Sequence, residues 1–134
     1  MKVFLGGTCG KSTWRDEVAV LLHRVNLECF NPQTLGDLRP ERFQVERIAK
    51  SHKCSLHLYV ITCEGGNLYS VAEAVESAAK GYLTVVQVVP TGFTDEQLRS
   101  LNDVLALLTS LGAHAIVSET LSSAVNILKT FKHQ

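Results

Sequence analysis

The apolar positions of the chain change period along its length. Val3-Phe4-Leu5 is a short continuous run, as in a strand covered on both faces. Beyond GGTCGKST, Trp14, Val18, Leu21, Leu22 and Val25 recur at helical spacing, with Ser12 or Thr13 as the expected cap. Residues 27–30 read as a second strand, closed by Asn31-Pro32, and residues 33–40 as a loop rich in turn formers. Pro40 can open a helix to about residue 52, with Phe43, Val45, Ile48 and Ala49 as its apolar positions. Residues 56–61 form a third strand, Glu64-Gly65-Gly66-Asn67 a turn, and residues 69–80 a helix stopped by Gly81. A fourth strand covers 83–89 and ends at Pro90. Thr94-Asp95-Glu96-Gln97 has the form of a capping box. The helix behind it carries Leu98, Leu101, Leu105 and Leu108 on one face and ends at Gly112. Residues 115–117 read as a fifth strand and 121–131 as a last helix.

Strand and helix alternate five times, which predicts an α/β fold. The expected form is one domain over 1–134, a flavodoxin-like, Rossmann-like three-layer sandwich around a five-stranded parallel sheet. Ligands of such sheets sit beyond the carboxyl ends of the strands, where the strand order reverses. Here that edge holds the turns at residues 6–13 and 62–70.

Composition narrows the function. The chain has 134 residues, enough for one core. Charged residues are 19% and the formal net charge is zero, so nothing electrostatic draws the chain to nucleic acid or an anionic membrane. No apolar run approaches the roughly 20 residues of a membrane span, and the short apolar N-terminal run does not make a signal peptide. Cys9, Cys29, Cys54 and Cys63 show no C-x-x-C spacing. No metal site is expected, and reduced thiols fit a cytoplasmic protein.

The segment GGTCGKST is one residue short of a triphosphate loop, because only three residues separate Gly6 from Gly10. Strand three ends in Thr62-Cys63 and supplies no Asp for Mg²⁺. The same Cys63, together with Cys9, stands where a receiver-type signalling domain needs acids. The glycines still allow close approach of a ligand, and Lys11 and Arg15 could add charge. A plain tight turn with both side chains in water is the equal alternative.

In the third helix, Val71, Ala74, Val75 and Ala78 mark the buried face. Glu73 is expected on the opposite side of the first turn, bordering the cleft. Ser70-x-x-Glu73 also fits a capping box, and an acid is stabilised in a first turn in any case. Trp14 lies on an apolar stripe and reads as core before it reads as a stacking platform. His57 points by alternation into a helix-covered face. Asp37, in the loop after strand two, is a candidate sugar or base contact and equally a turn residue.

The segments Val3-Phe4-Leu5-Gly6-Gly7-Thr8, Thr13-Trp14-Arg15 and Ser70-Val71-Ala72-Glu73-Ala74 resemble the nucleoside 2-deoxyribosyltransferase-like superfamily. Gly81 eight residues past the Glu, and Asn31-Pro32 after strand two, fit as well. The resemblance follows the element order over nearly the whole chain. It implies that Glu73 attacks the anomeric carbon of a 2′-deoxynucleoside or its 5′-monophosphate. It also implies that an acid on the preceding helix, Glu46, shapes the site and shuttles a proton. An exposed helix acid beside Arg42 and Lys50 is the other account of Glu46. The resemblance further implies an oligomer whose neighbouring subunit completes the site; the low charge and the leucine-rich fourth helix accord with a homodimer or larger. Phe4 departs from the family, whose well-studied transferases carry a Tyr there to steady the nucleophile. Tyr69 or Ser70 would have to replace its hydroxyl.

Such an enzyme needs no cofactor. A carboxylate traps the oxocarbenium-like sugar, an acid protonates the leaving base, and a second base or water completes transfer or hydrolysis. Asn67 and Ser70, with the backbone of Gly65-Gly66, are candidates to hold the 5′ end, and Gly6, Gly7, Thr8 and Arg15 to form the other wall. The competing expectation is a nucleotide-binding module of the same fold that turns nothing over.

Overall fold

The apolar runs form strands because each one is covered on both faces. The computed structural model describes residues 1–9, 12–32 and 40–132, with backbone alone for 40–43. The strands are β1 (Lys2–Gly7), β2 (Glu28–Phe30), β3 (Leu56–Ile61), β4 (Leu83–Val88) and β5 (His114–Val117). All pair in parallel, in the order β2-β1-β3-β4-β5. This is the five-stranded flavodoxin-like arrangement expected, with its reversal of order between β1 and β3. β3 is buried at every position.

Five α-helices lie between and after the strands among the described residues: α1 (Trp14–Arg24), α2 (Pro40–Ile48), α3 (Leu68–Ala79), α4 (Asp95–Ser110) and α5 (Ser122–Thr130). Side-chain alternation divides the core in two. Val3, Leu5, Leu56, Leu58, Val60 and Val85 meet Val18 and Leu22 of α1 and Val125 and Leu128 of α5. Phe4, Tyr59, Ile61, Val86 and Val88 meet Ala74 and Ala78 of α3 and Leu105 and Leu108 of α4. Trp14 is a core residue of the first layer.

The helix ends differ from expectation in instructive ways. Thr94 and Gln97 do form a reciprocal capping box at the start of α4. Thr13 stands at the N-cap of α1, yet its side chain makes no cap bond. α3 starts one residue earlier than its pattern suggested and takes Asn67 as N-cap, so Ser70 and Glu73 are not a capping box. Glu73 consequently lies in the second turn. The helix after Pro40 does not run on regularly either. It passes at Ala49–Lys53 into a π-helical turn, in which the Cys54 N–H reaches the Ala49 carbonyl at 3.1 Å.

Gly7 ends β1 with φ +124°, and a Cβ there would strike the backbone of Val60. Only glycine fits this close approach of the end of β1 to its neighbour β3. Gly7→Ala should therefore lower stability by about 2 kcal/mol or more. Gly66→Ala, with open space around it, should stay within roughly 0.5 kcal/mol of the parent. Urea unfolding of the two variants checks both.

Candidate functional site

The crevice between β1 and β3 is closed by the protein's own hydrogen bonds. Thr8 is fully buried. Its N–H donates to the Val60 carbonyl at 2.9 Å, and its hydroxyl accepts from the Thr62 N–H at 2.7 Å. The same hydroxyl donates to the Asn67 carboxamide oxygen. The Asn67 amide in turn donates to the Thr62 carbonyl at 2.8 Å. Asn67 does not cap its own helix because its side chain is drawn into this bridge. Ser70 donates to the Gly7 carbonyl at 2.8 Å. Gly65 lies so close to Cys9 that a Cβ would meet the Cys9 carbonyl oxygen.

Arg15 braces the same loop from beneath. Its guanidinium donates to the carbonyls of Leu5 (3.3 Å), Thr8 (2.7 Å) and Gly7 (3.2 Å). The Trp14 indole N–H shares the Thr8 carbonyl at 2.9 Å. Burial holds the Arg15 pKa below its ordinary value, partly offset by Cys9 and, more remotely, by Glu46 and Glu73. Of the residues expected to line the cleft, Thr8, Arg15, Asn67 and Ser70 thus set the shape of the wall by bonding to the protein itself. Gly6 backs onto the Tyr59 ring, and Gly66 is exposed at the rim. Asp37 and Lys11 lie outside the described residues.

The titratable cluster sits beside this wall, between α2 and α3. Glu73 is not opposite the buried stripe of α3. It stands in line with Ser70 and Ser77, three and four residues away, and its side chain keeps only 14% exposure. Both serines are buried on that helix because each has a partner, which is why the apolar pattern alone misplaces the stripe. Lys50, from the π-helical turn, reaches the Glu73 carboxylate at 3.4 Å and that of Glu76 at 3.7 Å. Glu76 also meets Arg47 at 3.7 Å and Lys80 at 3.9 Å. Burial pushes the Glu73 pKa up. The Lys50 charge and hydrogen bond oppose this, and the negative charges of Glu46 and Glu76 add to it. Glu46, from α2, is therefore brought near Glu73. Tyr69, half exposed, shares the field of both acids, and burial is the main cause of its raised pKa.

Under the cluster lies a buried polar chain. Phe4 is 1% exposed and packs against Phe30, His57 and Tyr59. It has no hydroxyl for Glu73, and Ser70 is turned to Gly7 instead. His57 Nε2 lies 2.9 Å from the Lys50 carbonyl, so that nitrogen carries the proton. Nδ1 then accepts from the Ser77 hydroxyl at 3.0 Å, and Ser77 accepts from the Tyr59 hydroxyl at 2.7 Å. Desolvation lowers the His57 pKa to about 4.

Glu73, Glu46, Tyr69 and the two loops are thus brought together. Sequence reasoning missed Lys50, Ser77 and Tyr59 as parts of the site. A usable signal was present for Lys50, which stands four residues after Glu46 on the same helical face. For Ser77 and Tyr59 the hydroxyls were the signal: two polar groups within apolar stripes require partners.

Among the described residues, no group of three His, Cys, Asp or Glu side chains is placed to hold a metal ion. No helix there is long and apolar enough to cross a membrane. Compared with known proteins, the chain matches no protein-family model, no curated protein and no solved structure.

The His57 ring is neutral in the fold, whereas its ordinary pKa is 6.5. The stability it carries is complete above pH 6.5 and is lost as pH falls toward 4. The loss should reach about 3 kcal/mol across that window. Urea unfolding at pH 7 and at pH 4 should show this extra loss in the parent, and should not show it in His57→Gln.

Proposed function

We propose that the protein cleaves the N-glycosidic bond of a 2′-deoxynucleoside or its 5′-monophosphate, as a member of the nucleoside 2-deoxyribosyltransferase-like superfamily. One observation carries this reading. A largely buried carboxylate on α3 shares its field with a second one from α2, beside the sheet edge where such folds bind ligands. Glu73 attacks the anomeric carbon as the bond to the base breaks, forming a glycosyl ester. Glu46, as the carboxylic acid, gives its proton to the departing base. A second base or a water then attacks the same carbon, with Glu46 taking up its proton, and frees Glu73. Tyr69 borders the sugar and base, and the exposed backbone of Gly65-Gly66 faces the 5′ end.

A second reading has its own observation. Phe4 fills the place of the steadying Tyr with a packed ring. A nucleotide-binding module that turns nothing over is consistent with that.

Incubation with deoxynucleosides and their monophosphates, with and without a second free base, decides between the two. Free base or exchanged nucleoside on chromatography is expected. Glu73→Ala should lower the rate by roughly a thousandfold or more. A folded parent protein that binds nucleotide and releases no base would favour the binding module.

We propose further that the protein is a homo-oligomer. Leu68, 91% exposed, flanks an apolar groove of about 410 Å³ between α3 and α4, lined by Val71, Phe93, Leu101 and Val104. Sedimentation should give a dimer or larger for the parent, and Leu68→Asp should shift it toward monomer. A monomeric parent at micromolar concentration would reject the oligomer.

A further inference from the structure

We infer that Lys50 is the positioning residue that keeps Glu73 ionised and aimed, in the role a tyrosine hydroxyl from β1 would otherwise fill. The inference rests on the proposed function for its catalytic meaning. Its geometry stands independently.

Three features hold the ammonium in place. Lys50 is only 6% exposed, which is rare for a lysine without partners. Its Nζ lies 5.7 Å from the centre of the Phe4 ring and 5.6 Å from that of Tyr59, so it rests on two aromatic faces. Phe4, the residue that lacks the hydroxyl, is thus part of the floor beneath the cation. The carboxylates of Glu73 and Glu76 complete its shell at 3.4 and 3.7 Å.

The backbone is fixed as tightly as the side chain. The π-helical turn ends the helix at Cys54, and the Ser55 N–H bonds the Lys2 carbonyl at 3.1 Å. The Lys50 carbonyl is thereby left to accept from His57 Nε2. The His57–Ser77–Tyr59 chain therefore anchors the main chain of the residue whose side chain meets Glu73. An extra residue in a helix at a titratable cluster is a recurring device of functional sites.

The other charged and titratable groups facing Glu73 among the described residues do not replace Lys50. Glu46 from α2 and Glu76 from α3 oppose ionisation. Arg47 pairs with Glu76. Arg15, from α1, is held on the carbonyls of the β1 loop. Tyr69 and Tyr59 are neutral at physiological pH, both with raised pKa. Lys50 is the cation in direct contact. Its removal leaves Glu73 with desolvation, the Glu76 charge and, whenever Glu46 is ionised, that charge too, all favouring the neutral acid.

The test reads Glu73 without substrate. Carboxyl ¹³C NMR of the ¹³C-glutamate-labelled protein gives its titration midpoint, assigned as the signal missing from Glu73→Gln. Lys50→Met keeps the stem over Phe4 and Tyr59 but removes the charge. It should raise the Glu73 midpoint by roughly one to three pH units. Lys50→Arg should leave it within about half a unit of the parent. The acidic limb of the pH–rate profile should move with it. A purely structural lysine would lower stability in the variants and leave the midpoint unmoved. An unchanged midpoint in folded Lys50→Met overturns the inference. If Lys50→Met does not fold, Lys50→Gln stands in for it, with the same two outcomes. A parent protein without glycosidic turnover would refute the proposed function and leave the titration result valid.

Discussion

The structure depends on how it closes the gap between β1 and β3. A doubly wound sheet parts its connections there, which leaves backbone groups at the strand ends without ladder partners. Many proteins fill that gap with a ligand. Here Thr8 bonds across it to Val60, Thr62 and Asn67, and Arg15 gathers three carbonyls of the turn. A glycine-rich turn that satisfies its own carbonyls in this way is rigid, and among the described residues the donors of Thr8 and Arg15 are turned to the protein itself. The titratable groups are displaced sideways, onto the facing sides of α3 and of α2 with its π-helical turn.

That displacement explains the burial of charge beside the sheet. A lysine and a glutamate taken from water are costly unless each has a partner and further contacts. Lys50 has two carboxylates and two rings. Glu73 has Lys50 and lies beside Ser70 and Ser77, both held by other partners. Neither group is free to relax alone. The pair is a fixed electrostatic arrangement, set in place by the fold itself.

Much of the fold was legible in the chain, because alternation of apolar runs and helical stripes is a local signal. β3 and the capping box of Thr94 and Gln97 stand where the pattern puts them. Glu73 was legible as a candidate on the third helix, though the side of α3 it occupies was not. Ser70 read as a helix cap or a ligand contact and Ser77 drew no reading, whereas long-range hydrogen bonds bury both. Asn67 and Thr8 looked like ligand contacts because they are polar residues in turns. Only the register of β1 against β3 reveals that they meet each other. Lys50 was legible as a neighbour of Glu46, but the π-helical turn that brings its side chain to Glu73 is marked by no propensity.

That turn has a consequence for how the chain can change over time. One additional residue in the helix sets the rotation of α2 relative to β3. Deleting one residue from the end of that turn, between 51 and 53, would remove the extra residue and turn α2 by about 100° about its axis relative to β3. Lys50 and Glu46 would both swing away from α3 with no alteration to Glu73. The acid–base balance of the cluster is therefore encoded in the count of residues as well as in their identity.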